Sequence, residues 1–397
     1  MTKSIHTLAE WSRHELKERI IPFWHALRDD THGGFCGRVD YNLDKDWQAD
    51  KGSILNSRIL WFFSNAYMLF GDETLMDDAN HAYRFLCDHC LDSRNDGVYW
   101  SVKYDGAVSD STKHTYNQGF AIYALCAYYD ATGDKRALNR AHKLCTLIEK
   151  KCRDDMGYLE SFTADFLPEP NKKLSENGVI AHRTMNTTLH VLEAYTELYR
   201  MGGRAQTADL LRTLLDIIAD KIYDPQKTRL NVFFNEQMGH ILDLESYGHD
   251  IEAAWLIDRA CAVLKDPAYS AKLAPLTAAL ERKTLSRALE KSMLINESCN
   301  GKEDRTSIWW VQAEGVVGFV NAYQKARSGK GYLKAAYDLW THIRENQIDR
   351  RTGSEWLWAV DENAVPKEDQ PIVNEWKCPY HNGRMCIELI RRAAHAS

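Results

Sequence analysis

A pair of helices recurs along this chain roughly every 60–70 residues, and a repeat of that length restricts the possible folds more than any local motif does. The first helix of each pair starts near Asn56 (NSRILWFFSNAYMLF), Tyr116 (YNQGFAIYALCAYYDATG), Asn186 (NTTLHVLEAYTELYRMG), His249 (HDIEAAWLIDRACAVLKD) and Val311 (VQAEGVVGFVNAYQKA). Turns at Gly71, Gly133, Gly202, Asp266 and Gly329 are expected to separate it from a second, amphipathic helix. A sixth first helix starts at His381 (HNGRMCIELIRRAAHA), and the helical pattern over 7–27 supplies its partner from the other end of the chain. The first helices are apolar nearly all round, as over 54–70, whereas the second show one apolar stripe, as over 137–148. The first set is therefore expected to be inner and the second outer.

These features predict an all-α fold, an (α/α)6 barrel of six inner and six outer helices, as one domain spanning 1–397. Short aromatic, glycine-flanked segments at 33–41, 97–104, 230–235 and 355–360 read as β-hairpin strands in the long connections. An open superhelix of the same hairpins is the alternative. Solenoids usually carry polar caps at both ends, and no added cap follows the last helix here, which favours the closed ring.

The net charge of -6 offers no broad electropositive field, so nucleic acid and anionic membrane surfaces are not expected partners. No run of residues approaches the length needed to span a bilayer, and residues 1–13 lack the apolar core of a secretory signal, so a cytoplasmic location is expected. The ten cysteines then read as reduced and mostly buried. Cys87-x-x-Cys90 has no second pair to complete a tetrahedral metal site and reads as structural. Neither a G-x-G-x-x-G turn, a G-x-x-x-x-G-K-[ST] loop nor a G-x-S-x-G elbow occurs, so no nucleotide cofactor or serine nucleophile is expected.

Polar residues interrupt the apolar inner helices mainly at their first turns, which a closed barrel brings to one mouth. Round the ring these are Arg58; His114, Tyr116, Asn117 and Gln118; Asn186 and His190; His249 and Glu252; Trp309, Trp310, Gln312 and Glu314; and Trp376, Lys377, Tyr380, His381, Asn382 and Arg384. A lone histidine near a helix start is more often a cap or a satisfied buried side chain. Capping does not explain why histidine, arginine, carboxylates and tryptophans recur at equivalent repeat positions, and that convergence points to a site. A helix N-terminus also biases imidazole toward its neutral, basic form. His249-x-x-Glu252 could supply two metal ligands, but a third is not evident, and no metal is expected. Arg58 could pair with a buried carboxylate or face a developing oxyanion. The indoles suit the apolar faces of a sugar, and Asn, Gln and Glu its hydroxyl edges.

The segments SYGHDIEAAWL, WWVQAEGVVGF, NEWKCPYHNGRMC, KHTYNQGFAIYAL and DKGSILNSRILWF, with the opening IIPFWHALRDDTHGGFCG, resemble the cellobiose 2-epimerases of the N-acylglucosamine 2-epimerase superfamily. The G-H-x-x-E and P-x-H-x-x-R elements are shared by that superfamily, and the run WKCPYHNGRMC is more particular to the cellobiose enzymes. The resemblance implies an isomerase that epimerises C2 of the reducing-end glucose of β-1,4-linked disaccharides without metal or cofactor. Cellobiose would become glucosyl-mannose, and lactose epilactose.

The same resemblance makes His249 and His381 the acid/base pair, with Arg58 and His190 supporting the reacting end of the sugar. Tyr116, Asn186, Glu252 and Glu314 would bind or orient, and Trp310 and Trp376 would hold the rings. The chain departs from the family at Gly119, where alanine is expected, and over 361–374, a stretch expected to shape the second sugar site. A small disaccharide is the expected partner, with the protein acting as a monomer and a dimer as the alternative.

Such a reaction needs a base for the C2 proton of the open-chain aldehyde, an electrophile for the enediolate, and an acid on the other face. Two imidazoles titrating near neutrality could exchange those roles. The rivals are an aldose–ketose isomerase using the same intermediate, a glycoside hydrolase using Glu252 and Glu314 as paired carboxylates, and a non-catalytic sugar-binding protein.

Overall fold

Residues 4–173, 176–326 and 329–395 are described by the structure, a computed structural model. Thirteen α-helices run along them in order: α1 (Ile5–Glu15), α2 (Ile21–His25), α3 (Ser53–Phe70), α4 (Glu73–Phe85), α5 (Thr115–Thr132), α6 (Lys135–Leu147), α7 (Met185–Gly202), α8 (Ala205–Ile217), α9 (Tyr247–Leu264), α10 (Pro267–Arg287), α11 (Trp309–Lys325), α12 (Lys330–His342) and α13 (His381–Ala394). Helices α3, α5, α7, α9, α11 and α13 pack each on the next, and α13 returns to α3. This closes the inner ring of an (α/α)6 barrel. The outer partner of α13 is α1, from the other end of the chain.

Burial follows the patterning that the sequence shows. Every residue of α3 from Ser53 to Ala66 is buried, because neighbours surround an inner helix on all sides. Outer α4 buries only one stripe, Leu75, Asp78, Ala79, Ala82, Tyr83 and Phe85 among it. At the turns, Gly71 and Gly133 take left-handed backbone, and the following Asp72 and Asp134 cap the outer helix by accepting from Thr74 N and Arg136 N. The third turn lies at Gly203, one residue past Gly202, which is still helical. In the fourth, Lys265 is the left-handed residue and Asp266 the cap. Gly329 precedes α12 with φ of -77°, so the fifth turn is built without a left-handed glycine.

The expected strands are present but very short, and they position the inner helices. Lys51–Gly52, Lys113–His114, Arg183–Thr184, Leu244–Ser246 and Ser307–Ile308 each run directly into an inner helix. Each pairs antiparallel with a strand of a later connection, for example Lys51 opposite Val102 and Lys113 opposite Phe162. Extended backbone at a helix N-cap aims all of these first turns toward the same end of the barrel.

Ion pairs brace those strands and the segment that leads into α13. Lys51 Nζ lies 2.7 Å from Asp29 and Lys113 Nζ 2.8 Å from Asp92, with Arg183–Asp154 and Lys377–Glu355 in the corresponding places. Removing one partner from the pairs buried on both sides, Lys51–Asp29, Lys113–Asp92 and Lys377–Glu355, would cost about 3–5 kcal/mol, whereas Asp154 is exposed and its pair contributes less. At Gly119 a Cβ would sit 3.6 Å from His190 O, an ordinary contact, so the helix interface there also has room for the alanine expected at this position. Among the described residues, no helix is long and apolar enough to cross a membrane.

Candidate active site

A cavity of about 440 Å³ opens at the mouth, in the range that holds small-molecule ligands. Its lining includes Arg58, Tyr116, Asn186, His190, His249, Glu252, Trp310, Trp376 and His381, which come from all six inner helices or the loops leading into them. Other first-turn residues serve the scaffold instead. Gln118 clamps both backbone groups of Val98 at 2.7 and 2.9 Å, and Gln312 does the same to Leu294 at 2.8 and 2.7 Å. His114 meets Asn171, Asn117 donates to Tyr99 O, and Lys377 and Asn382 both bind Glu355. Repeat position alone therefore does not separate ligand-facing residues from those that brace a strand.

His381 is the first residue of α13, and its Nδ1 lies 2.8 Å from Glu314 Oε1. Glu314 also accepts from Trp255 Nε1 at 3.0 Å and from Arg384 at 2.7 Å. It does not line the cavity, so it is a support behind the wall and makes no lining contact of the kind expected of a sugar-binding residue. His190 has a similar arrangement, with Nδ1 2.8 Å from Glu193 Oε2. Burial alone would raise the Glu193 carboxyl, but Arg384, His190 and Tyr380 outweigh it and bring it to about 2. An ionised carboxylate only accepts, so His190 Nδ1 carries hydrogen and Nε2 is left as the acceptor.

His249, the third residue of α9, is held differently. Ser246, the N-cap of α9, makes no capping bond, and its hydroxyl lies 2.7 Å from His249 Nδ1 instead. The Trp310 ring packs against His249 at 4.6 Å between centroids and against His381 at 5.7 Å, so it lies in contact with both. A Cβ on Gly248 would meet that indole at 2.7 Å, which is the steric reason for glycine in the G-H-x-x-E element.

Burial is the first cause of low basicity at all three imidazoles. It brings His249 down to about 3, and His381 and His190 also fall below the ordinary value of 6.5, helped by Arg384 and Arg58. Desolvation, rather than the helix terminus, thus favours the neutral form of both members of the expected acid/base pair and takes them below the near-neutral range expected of them.

Arg58 forms no ion pair among the described residues. Its guanidinium donates to Trp376 O at 3.0 Å and Tyr116 OH at 2.8 Å and lies 4.2 Å from the Phe120 ring centroid. Nε has no partner, and burial leaves the group charged. Among the described residues no carboxylate pairs with it, and the guanidinium is a fixed positive charge at the cavity wall.

Trp309 also lines the cavity, and the rest of the lining is not marked by the repeat pattern: Lys173, Asn177, Ser246, Asn296, Glu297, Ile308 and Trp358. None of the stretch 361–374 lines the cavity, so the loop expected to shape a second sugar site does not reach it; the connections around Lys173 and Asn296 do. Glu252, Glu314 and His381 offer atoms within 4.8 Å of one another, a spacing that metal ions also use. The Arg384 guanidinium already binds both glutamates, and a second cation beside it would be repelled.

The cavity at the mouth of the (α/α)6 barrel is thus walled by imidazoles, the Arg58 guanidinium and indole rings. The chain belongs to the N-acylglucosamine 2-epimerase (GlcNAc 2-epimerase) family, which it matches over residues 23–381. It is 48% identical to a cellobiose 2-epimerase of Ruminococcus albus over 380 residues, 96% of this chain and 97% of that one. The crystal structure of a sugar epimerase from a ruminal bacterium superposes with a TM-score of 0.96 at 47% identity, covering 97% of this chain and 99% of the other. The cellobiose 2-epimerase of Bacillus thermoamylovorans gives 0.94 at 42%, covering 98% and 100%.

Proposed function

We propose that this enzyme inverts C2 of the reducing-end glucose of β-1,4-linked disaccharides, converting cellobiose to glucosyl-mannose and lactose to epilactose. The observation that carries this reading is the pair His249 and His381, one half-buried and one buried, both held in the neutral form and both packed against the Trp310 ring in one cavity. Inversion requires a proton to leave one face of C2 and return to the other, and two neutral imidazoles supply a base for each direction. His190, with Nε2 free, assists ring opening. Arg58 stabilises the enediolate oxygens, Tyr116, Asn186 and Glu252 hold hydroxyls, and Trp310 and Trp376 hold the sugar rings.

Burial does not prevent the imidazoles from acting. When either takes the C2 proton, the enediolate formed beside it is a compensating anion, and His381 has Glu314 behind it as well. The hydrolase alternative fits poorly. Retaining and inverting glycosidases hold their carboxyls about 5 Å or more apart with the scissile bond between them. Here Glu252 and Glu314 bind one nitrogen of Arg384, and Glu314 does not face the cavity.

The test is proton NMR of cellobiose incubated with enzyme in deuterated water. Glucosyl-mannose deuterated at C2 of its reducing end is expected. Product without deuterium there rules out exchange through a solvent-accessible base, and a fructose-ended product identifies an aldose–ketose isomerase instead.

A further inference from the structure

Three buried glutamates, Glu193, Glu252 and Glu314, converge on the single guanidinium of Arg384. With the neighbouring imidazoles neutral, three ionised carboxylates would carry two more charges than the one guanidinium they share can offset, and desolvation makes a proton retained on one of them the cheaper arrangement. Hydrogen bonding shows which. Both oxygens of Glu193 are used, by Tyr380 OH, Arg384 and His190. Both oxygens of Glu314 are used as well, by His381 and Arg384 on Oε1 and by Trp255 on Oε2. Glu252 has Arg384 on Oε1 alone, while its buried Oε2 has no partner and the residue lines the cavity.

We propose that Glu252 is the member of this cluster that keeps its proton, and that its Oε2–H donates to the sugar oxygen on which negative charge collects as the C2 proton leaves. This rests on the epimerase reading and gives Glu252 a role beyond holding a hydroxyl. A neutral acid in a water-poor site donates more strongly to an enediolate oxygen than to the hydroxyl or carbonyl that precedes it, so it favours the intermediate selectively. A carboxylic acid kept neutral by an apolar site can serve as an oxyanion-hole donor at pH 7, as the protonated aspartic acid of ketosteroid isomerase does. Burial pushes the Glu252 carboxyl up, the neighbouring Glu314 adds to this, and Arg384 only partly opposes it. The charged and titratable groups facing it are Glu314 from α11, Glu193 from α7, Tyr116 from α5, and Tyr380, His381 and Arg384 from the α13 end.

Two variants and one spectrum test this. Glu252→Gln keeps a weaker N–H donor at the same place, and Glu252→Ala removes it. The alanine variant is expected to lose about 10²–10³-fold in kcat, and the glutamine variant about tenfold with KM little changed. Wild-type kcat should also fall on the alkaline side as Glu252 ionises, and this limb should vanish in Glu252→Gln. Equal damage in both variants, or an unchanged alkaline limb in the glutamine variant, overturns the donor role. Independently of turnover, the wild-type minus Glu252→Gln infrared difference at neutral pH should contain a carboxylic-acid C=O band, and its absence overturns the proton assignment. If wild-type enzyme forms no mannose-ended product while the band is present, it is the epimerase reading that fails, and the donor role with it.

Discussion

His381 and His249 sit against one indole, yet different chemistry holds them. Behind His381 stands Glu314, itself fixed by Trp255 and Arg384, so a carboxylate within a hydrogen-bonded network fixes its tautomer. His249 has one hydroxyl, Ser246, which can donate or accept and leaves the tautomer open. An imidazole backed by a carboxylate gains an ion-pair partner when it takes a proton, whereas one backed by a hydroxyl gains only a hydrogen bond. The two imidazoles are therefore supported asymmetrically, although the reaction proposed for them is reversible.

The largest expected effects test whether the two imidazoles are separate bases. His381→Ala and His249→Ala should each lower epimerisation by about 10²–10⁴-fold. In deuterated water, one variant should still exchange the C2 proton of cellobiose and the other that of glucosyl-mannose. If both exchange the same epimer, the two-face assignment is broken.

Next in size is Glu314→Gln. It should reduce kcat by about 10–100-fold, and nitrogen NMR of labelled histidine should show His381 losing its single tautomer while His249 is unchanged. Trp310→Ala removes the surface that both rings share and should raise KM about tenfold. Ser246→Ala, which takes away the weaker of the two supports, should lower kcat/KM only about fivefold, near 1 kcal/mol. A loss as large as that of Glu314→Gln would mean that the hydroxyl side is as tightly organised as the carboxylate side.

The smallest expected effect is on pH dependence. A histidine pKa lowered on burial keeps the neutral base form available as pH falls, and protonation of His249 sets in only toward about 3. kcat/KM should therefore stay nearly flat from about pH 7 to about pH 5, without the inflection of an ordinary histidine near 6.5. Such an inflection would show that at least one imidazole is better solvated than its surroundings suggest.

Much of this architecture was legible because a repeat multiplies weak signals. One apolar helix says little, but six in register, each preceded by polar residues, imply a ring with a mouth. The convergence of Arg58, His190, His249, His381 and the indoles followed from that register. Gln118 and Gln312 have the same register and look like sugar ligands, yet they bind the backbone of Val98 and Leu294, because the connections beside these inner-helix starts have amides that need partners. Glu193 escapes the pattern for the opposite reason: it sits one turn deeper, within an apolar helix and outside the first turn. The lining from Lys173, Asn177 and Asn296 comes from connections whose path no periodicity describes.

Three inner helices carry histidine followed three residues later by a charged group: His190 and Glu193, His249 and Glu252, His381 and Arg384. That spacing, with the repeat and its apolar faces, is what the sequence by itself determined, since helical geometry places i and i+3 on one face. Which pairs bond was decided only by the tertiary structure. His190 takes Glu193, whereas Glu252 turns to Arg384 and leaves His249 to Ser246, and Arg384 reaches across the ring while His381 finds Glu314. A local neighbour is available to each side chain, but in a buried cavity the rotamer goes to whichever partner satisfies the most charge, and those partners lie on helices far apart in the chain.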